Sequence, residues 1–235
     1  MKLLAIDTST NACSVALLVD GETRQRFEIT PKAHTTLLLP MVESLLTEAE
    51  LKLTQLDALA FGCGPGSFTG LRIAAGVVQG LAFGADLPVV PVSTLAALAQ
   101  QYSNKPLSFV AMDARIGEVF WGVYEKNADG FVELIGQEVV AHIHDLTFPP
   151  RHAVGIGSGW AIYAQALSQH TQGWVTDIHH DVLPQASAIA TLGALGFHQG
   201  KSVCAQDAQP VYLRDKVAQT EIERKNAKLN VENTP

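Results

Sequence analysis

The stretch that decides the fold is LAFGCGPGSFTGLRIAAGVVQGLAFG, residues 59–84. It begins as an apolar strand, continues as a glycine-rich loop and ends as a run of small and apolar residues at helical spacing. Glycines let a backbone approach another group closely, so the loop is predicted to touch something. The amides around Ser67 stand at the predicted helix start, where the helix dipole favours an anion. The loop is not a P-loop, because it lacks G-x-x-x-x-G-K-[ST] and its first cation is Arg72.

The helix after this loop is predicted to be apolar or small on two opposite faces. At about 100° per residue, one face suits packing on the chain's own sheet and carries Leu71, Ala74, Ala75, Val78, Leu81 and Ala82. The opposite face carries Ile73, Gly76, Val77, Gly80 and Gly84. A helix that is apolar all round is buried all round. We therefore expect another part of this chain, or another chain, to cover the second face.

Composition limits the classes of protein that fit. The chain has 235 residues, is 47% hydrophobic and 17% charged, and carries a net charge of −7. An acidic chain without a run of Lys and Arg does not suit a surface made for nucleic acid. Asp7 comes too early for a signal peptide, and we expect no membrane span. The three cysteines are widely spaced, which is typical of free thiols in a cytoplasmic protein.

The order of predicted elements indicates two related halves. Strands at 2–9, 12–19 and 23–30 precede a helix at 34–50, and Pro40 is expected in or near the first turn of that helix. From Ser108 the pattern strand–Asp–strand–Asp-Gly–strand repeats. The sequence therefore predicts an α/β protein with a strand meander at the start of each half.

The predicted domains follow from this repeat. They are an N-terminal lobe at 1–107, a smaller C-terminal lobe at 108–219 and a charged tail at 220–235. The tail has few large apolar residues, so we expect it to be disordered. A last helix is predicted at 187–199, within the second lobe.

Asp7 and Asp113 stand at equivalent strand ends of the two halves. Carboxylates at such positions hold a metal–nucleotide in the cleft of two-lobed ATPases and sugar kinases. Aspartates also form local turns by accepting hydrogen bonds from nearby amides. The two interpretations are balanced for Asp7, and the turn is favoured for Asp113.

The positions of the histidines favour structural roles over catalytic or metal-binding roles. His34 precedes the first long helix, where a helix-entry role is favoured over a catalytic one. No two of the eight histidines are four residues apart, so an H-x-x-x-H metal pair is absent from the sequence. Gly155, Gly157 and Gly159 form G-x-G-x-G, which suits either a tight turn or contact with the adenosine end of a nucleotide.

Four motifs together resemble a known family, that of TsaB, also called YeaZ. They are IDTST (6–10), His34 with LLLP (37–40), GPGSFTGLRI (64–73) and PVYLRDKVA (210–218). The resemblance spans nearly the whole chain before the tail. It implies a two-lobed actin-like or hexokinase-type (ribonuclease H-like) fold, and kinship with TsaD, the catalytic subunit of the bacterial tRNA threonylcarbamoyladenosine machinery.

The resemblance also implies a role. The catalytic relative binds its metal through an H-x-x-x-H pair, which this chain lacks. The implied function is a non-catalytic subunit that dimerises with TsaD and supports N6-threonylcarbamoyladenosine formation in tRNA, with TsaE in the larger assembly. We expect a homodimer when the chain is alone, tRNA contact only through the complex, and no tightly bound cofactor or metal, with ATP or ADP allowed for within the complex.

Two alternatives stay open. One is an ATP-dependent phosphotransferase of the actin/sugar-kinase class, which needs a complete cleft and a catalytic carboxylate beyond Asp7. The other is a metallopeptidase of the M22 glycoprotease class, against which the absent histidine pair argues.

Two sets of residues are the candidate sites, and no residue is assigned a catalytic role. The predicted partner interface comprises His34, Leu37, Met41, Leu45, Ile73, Gly76, Val77, Gly80 and Gly84. Contact with a nucleotide or phosphate is assigned to Asp7, Thr8, Ser9, Gly66 and Ser67.

Overall fold

Two five-stranded mixed sheets follow one another along the chain. In the computed structural model, which describes residues 1–214, the first sheet has the order β3-β2-β1-β4-β5 and the second has the order β8-β7-β6-β9-β10. In each sheet the first three strands form an antiparallel meander, and the last two strands run parallel to the first. The same order in both sheets confirms the duplicated meander that the sequence predicts.

The first sheet holds the start of the chain and three helices. Its strands are β1 (Lys2–Asp7), β2 (Ala12–Val19), β3 (Glu22–Ile29), β4 (Ala58–Gly64) and β5 (Val89–Ser93). The helices of this region are α1 (His34–Glu48), α2 (Phe68–Ala85) and α3 (Thr94–Gln100). Ser93 caps α3, because its hydroxyl accepts from the amides of Leu95 and Ala96.

The second sheet has a longer meander and shorter parallel strands. Its strands are β6 (Leu107–Arg115), β7 (Glu118–Lys126), β8 (Val132–His142), β9 (Ala153–Ile156) and β10 (Val175–His179). Two short helices, α4 (Gly159–Ile162) and α5 (Ala164–Thr171), separate β9 from β10. Strand β10 was not predicted from the sequence.

The last helix, α6 (Ala186–His198), returns to the first sheet. Its Ile189 packs in one buried cluster with Leu3 and Ala60 of that sheet. The predicted boundary after residue 107 falls at the first residue of β6, the first strand of the second sheet, but the chain crosses back for α6. Sequence spacing shows that a helix has an apolar face, but it does not show which sheet that face covers.

Two further expectations differ from the structure, and a third falls outside it. Pro40 lies inside α1 rather than in its first turn. By length and mean hydropathy alone, α2 passes as a membrane-spanning helix, contrary to our expectation that no stretch would. One such helix is weak support for a membrane, because core helices pass the same test, and α2 packs Val78 in the main core cluster. The predicted tail at 220–235 lies outside the described residues.

Candidate functional site: a helical surface and an interlobe cleft

The glycine-rich loop contacts the chain's own β1–β2 connection. The amide of Ser67 donates to the carbonyl of Ser9 at 2.7 Å, and an ideal Cβ on Gly66 would lie 2.6 Å from the same oxygen. A Cβ on Gly70 would lie 1.9 Å from the carbonyl oxygen of Thr8. The loop is therefore glycine-rich because two backbones meet there. The prediction that it touches something holds, but what Gly66 and Gly70 touch is part of this chain.

Asp7 is buried beneath this loop. Its Oδ1 accepts from the amide and the hydroxyl of Ser9 at 3.1 and 2.9 Å, and its Oδ2 has no hydrogen-bond partner among residues 1–214. Burial raises the pKa of Asp7 to about 7, against the two bonds from Ser9, which lower it. The side chain is fully buried. Asp7 therefore cannot contact a nucleotide in this conformation.

The other predicted nucleotide contacts divide into two groups. Thr8 is fully buried and donates from its hydroxyl to the carbonyl of Gly70 at 2.7 Å, so its assignment is wrong for the same reason as that of Asp7. Ser9, Gly66 and Ser67 border an interlobe cleft of about 530 Å³. Ser9 is itself buried and donates its hydroxyl to Asp7, so Gly66 and Ser67 are the two that stay accessible. The Ser67 hydroxyl caps α2 by accepting from the amide of Gly70.

Asp113 forms a local turn at the edge of this cleft. Its Oδ1 accepts from the amide of Arg115 at 2.9 Å and from the hydroxyl of Tyr163 at 3.1 Å. Asp7 makes the same bond to the amide two residues ahead. The turn interpretation that the sequence favoured for Asp113 thus describes its geometry.

The G-x-G-x-G segment is shaped by packing. A Cβ on Gly155 would lie 2.7 Å from the ring of Trp160, and a Cβ on Gly157 would lie 2.6 Å from the carbonyl oxygen of Ala111. The indole of Trp160 donates to the carbonyl of Phe109 at 2.9 Å. The glycines leave room for these groups, which supports the tight-turn interpretation.

One face of α2 is open in the part of the chain that the structure describes. We call Ile73, Gly76, Val77, Gly80 and Gly84 the glycine face. Its three glycines are exposed, and a Cβ added to any of them would meet no described atom within 4 Å. Five of the six residues on the opposite face are buried, and Leu81 is half-buried. The predicted division of α2 into two faces is therefore correct, and described residues of this chain do not cover the glycine face.

Phe83 belongs to the same surface and was missed. It lies seven positions after Gly76, two helical turns along the same side, and is 85% exposed. Its position on the helix could have been found from the sequence, but Phe83 was assigned to neither face. An exposed aromatic ring beside open glycines gives the surface an apolar projection next to a flat strip.

Helix α1 lies beside α2 and supplies a narrower part of the surface than predicted. Leu37 and Met41 are half-buried against the same core as Ile73 and Val77. Leu45 is fully buried in that core, so it was wrongly assigned to the interface.

His34 is also wrongly assigned to the interface, since it is buried. Its Nε2 lies 2.9 Å from the carbonyl oxygen of Thr10, and because a carbonyl only accepts, Nε2 carries the proton. His34 therefore fastens the start of α1, as the helix-entry interpretation predicts.

Comparison with known proteins identifies the family of the chain. A family model described as TsaD, tRNA N6-adenosine threonylcarbamoyltransferase, matches residues 27–222. The tRNA threonylcarbamoyladenosine biosynthesis protein TsaB of Escherichia coli is 40% identical over 93% of this chain and 96% of its own length. The Haemophilus influenzae protein of the same name is 40% identical over 92% and 95%. A solved structure of YeaZ from Pseudomonas aeruginosa is 42% identical, covers 90% of this chain and 99% of its own, and superposes with a TM-score of 0.84. The chain therefore belongs to the TsaB (YeaZ) family of tRNA threonylcarbamoyladenosine biosynthesis proteins, and its fold is the two-lobed one that the sequence predicts.

Proposed function

We propose that this chain is a non-catalytic subunit that dimerises with TsaD through the glycine face and its surroundings. In this role it supports formation of N6-threonylcarbamoyladenosine in tRNA, in the cytoplasm and away from membranes. TsaE joins the larger assembly, tRNA is contacted through the complex, and the chain pairs with itself when TsaD is absent.

The open glycine face is the observation that carries this proposal. A glycine inside an exposed helix costs about 1 kcal/mol relative to alanine. Gly76, Gly80 and Gly84 repeat this cost on successive turns without any described contact that requires it. A second helix can approach closely over such a strip. Because the TsaD family model matches residues 27–222 of this chain, we expect TsaD to carry a similar pair of helices. Two related chains that meet through equivalent helices favour a pseudo-two-fold contact.

The burial of Asp7 and the lack of a metal-ligand cluster among residues 1–214 support the proposal that this chain is non-catalytic. Asp7 would have to reach a metal–nucleotide in a phosphotransferase of the sugar-kinase class, and it is fully buried under the glycine loop. Among residues 1–214, no three His, Cys, Asp or Glu side chains converge as metal ligands would. Together with the missing H-x-x-x-H pair, these facts favour a supporting subunit over either catalytic alternative.

Reconstitution tests the proposal. Purified chain and TsaD are assayed separately and together, with TsaE, tRNA and the threonylcarbamoyl donor, for the modified adenosine. We expect product only when the chain and TsaD are combined, and we expect Asp7→Asn to support product formation as the unmodified chain does. Product from the chain without TsaD, or its loss in a folded Asp7→Asn variant, would contradict the non-catalytic role.

A further inference from the structure

The segment Pro210–Arg214 crosses the cleft from one lobe to the other. Its first anchor is in the first lobe, where the amide of Val211 donates to the carbonyl of Cys63 at 2.7 Å. Just before it, the carbonyl of Ala208 accepts from the side-chain amide of Gln79 at 3.1 Å. Gly64 has a φ of +124°, and a Cβ there would lie 2.5 Å from the carbonyl oxygen of Val211. The end of β4 is therefore shaped to receive this segment.

The second contact is a stack of side chains at the start of α2. The rings of Phe68 and Tyr212 lie 5.4 Å apart. The Nε of Arg72 donates to the Tyr212 hydroxyl at 3.1 Å, and its guanidinium lies 3.8 Å from the centre of the Phe68 ring. A cation over an aromatic face is attractive, so Arg72 joins both rings. The segment is thus held to the first lobe by backbone and side-chain contacts.

The far end of the segment is held by a charge pair. The guanidinium of Arg214 pairs with the carboxylate of Glu118, the first residue of β7 in the second lobe. These side chains are 23% and 26% exposed. Val211 and Tyr212, by contrast, are 46% and 40% exposed, so the middle of the segment buries little apolar surface. A segment with few buried contacts opens at low cost.

We propose that Pro210–Arg214 is a latch that sets the distance between the lobes. Its first-lobe end is held at Cys63 and Tyr212, and its second-lobe end is held by the Arg214–Glu118 pair. Breaking that pair frees the second-lobe end and loosens the neighbouring bond of Val211. Four of its residues, Val211 to Arg214, line the interlobe cleft. Release therefore widens the cleft and lets the lobes separate on the side where the latch crosses. Because the pair is partly exposed, salt weakens it, and the cleft widens with ionic strength.

The test uses the full-length chain and measures two quantities separately: how firmly the segment is seated, and how far apart the lobes lie. Hydrogen exchange at the Val211 amide reports whether the segment is seated. Pulsed electron–electron spin distances between labels at Glu43→Cys on α1 and Gln165→Cys on α5 report lobe separation. Both sites are exposed, and a Cys204→Ser background removes the exposed thiol while Cys13 and Cys63 stay buried.

Glu118→Gln is the releasing variant and Glu48→Gln is its matched control. Glu48 also pairs with an arginine, Arg26, but both partners belong to the first lobe. We expect Glu118→Gln to speed exchange at Val211 about two- to fivefold, as loss of a partly exposed pair allows, and to widen the spin distances. Arg214→Gln should do the same, and the double variant should add nothing. Glu48→Gln should change neither reading.

The effect of salt on the spin distances distinguishes a latch between the lobes from a clamp within the first lobe. High salt should widen the distances in the unmodified chain and have no further effect in Glu118→Gln. Faster exchange with unchanged distances would overturn the proposal, because the segment would then open without changing the separation of the lobes. Unchanged exchange in both single variants would overturn it as well.

Discussion

Asp7 and Gly62 share one space at the ends of two neighbouring parallel strands. An ideal Cβ on Gly62 would lie 2.0 Å from Oδ2 of Asp7, well inside the contact distance of the two atoms. The carboxylate therefore lies over Gly62 and fills the place of the missing side chain. This explains how a buried carboxylate fits at this point of the sheet although one of its oxygens has no hydrogen-bond partner among residues 1–214.

Gly62→Ala is therefore expected to destabilise the fold. Asp7 cannot swing away freely, because its other oxygen is held by Ser9. Overpacking of this kind costs about 1–3 kcal/mol, which urea unfolding would measure. The matched control is Gly76→Ala on the glycine face, where a Cβ meets open space and a gain of up to about 1 kcal/mol is expected from helix propensity. In an Asp7→Ala background, the cost of Gly62→Ala should shrink, since the two positions are coupled.

The raised pKa of Asp7 predicts how stability depends on pH. The folded chain binds this proton more tightly than the unfolded chain, because the pKa rises from 3.8 to about 7 on burial. The contribution of Asp7 to stability is therefore fully present below about pH 4 and declines as the pH rises to about 7. The total is on the order of 4 kcal/mol. Unfolding free energies of Asp7→Asn, measured over this range, should lack that decline; an equally steep decline in the variant would contradict the assignment.

Phe83 is expected to contribute to binding without contributing to stability. Its ring is 85% exposed, so Phe83→Ser should leave the melting temperature nearly unchanged. Sedimentation should show weaker self-association, and a pull-down with TsaD should recover less partner. Ile29→Ser is the control, because Ile29 is 64% exposed and lies on β3, the sheet edge opposite the strands β4 and β5 that α2 connects. Equal losses in both variants would mean that Phe83 has no special place in the interface.

Much of the fold could be predicted because local patterns determine it. The meander of β1 to β3 and its repeat in β6 to β8 follow from alternating apolar runs and Asp-Gly turns. Strand β10 was missed because its sequence, VTDIH, is short and mixes polar with apolar residues. The destination of α6 was missed because it depends on long-range packing.

The site was predictable in outline and not in detail. The two faces of α2 follow from helical spacing, so the glycine face could be described from the sequence alone. The loop before it was expected to receive a ligand, because glycines show that something lies close without showing what. Leu45 was placed on the surface because a wide apolar stripe does not reveal where burial ends.

The central claim is that the glycine face binds TsaD, and Gly80→Leu tests it most directly. A Cβ at Gly80 meets no atom of residues 1–214 within 4 Å, so the variant should fold with an equal or higher melting temperature. Gln165→Leu, an exposed leucine added to α5 of the second lobe, is the matched control.

The deciding measurement is the calorimetric affinity of each purified variant for TsaD. The account predicts that Gly80→Leu binds about 30-fold more weakly or worse, as loss of a central contact does, while Gln165→Leu binds like the unmodified chain. A folded Gly80→Leu variant that binds TsaD with unchanged affinity would contradict the account.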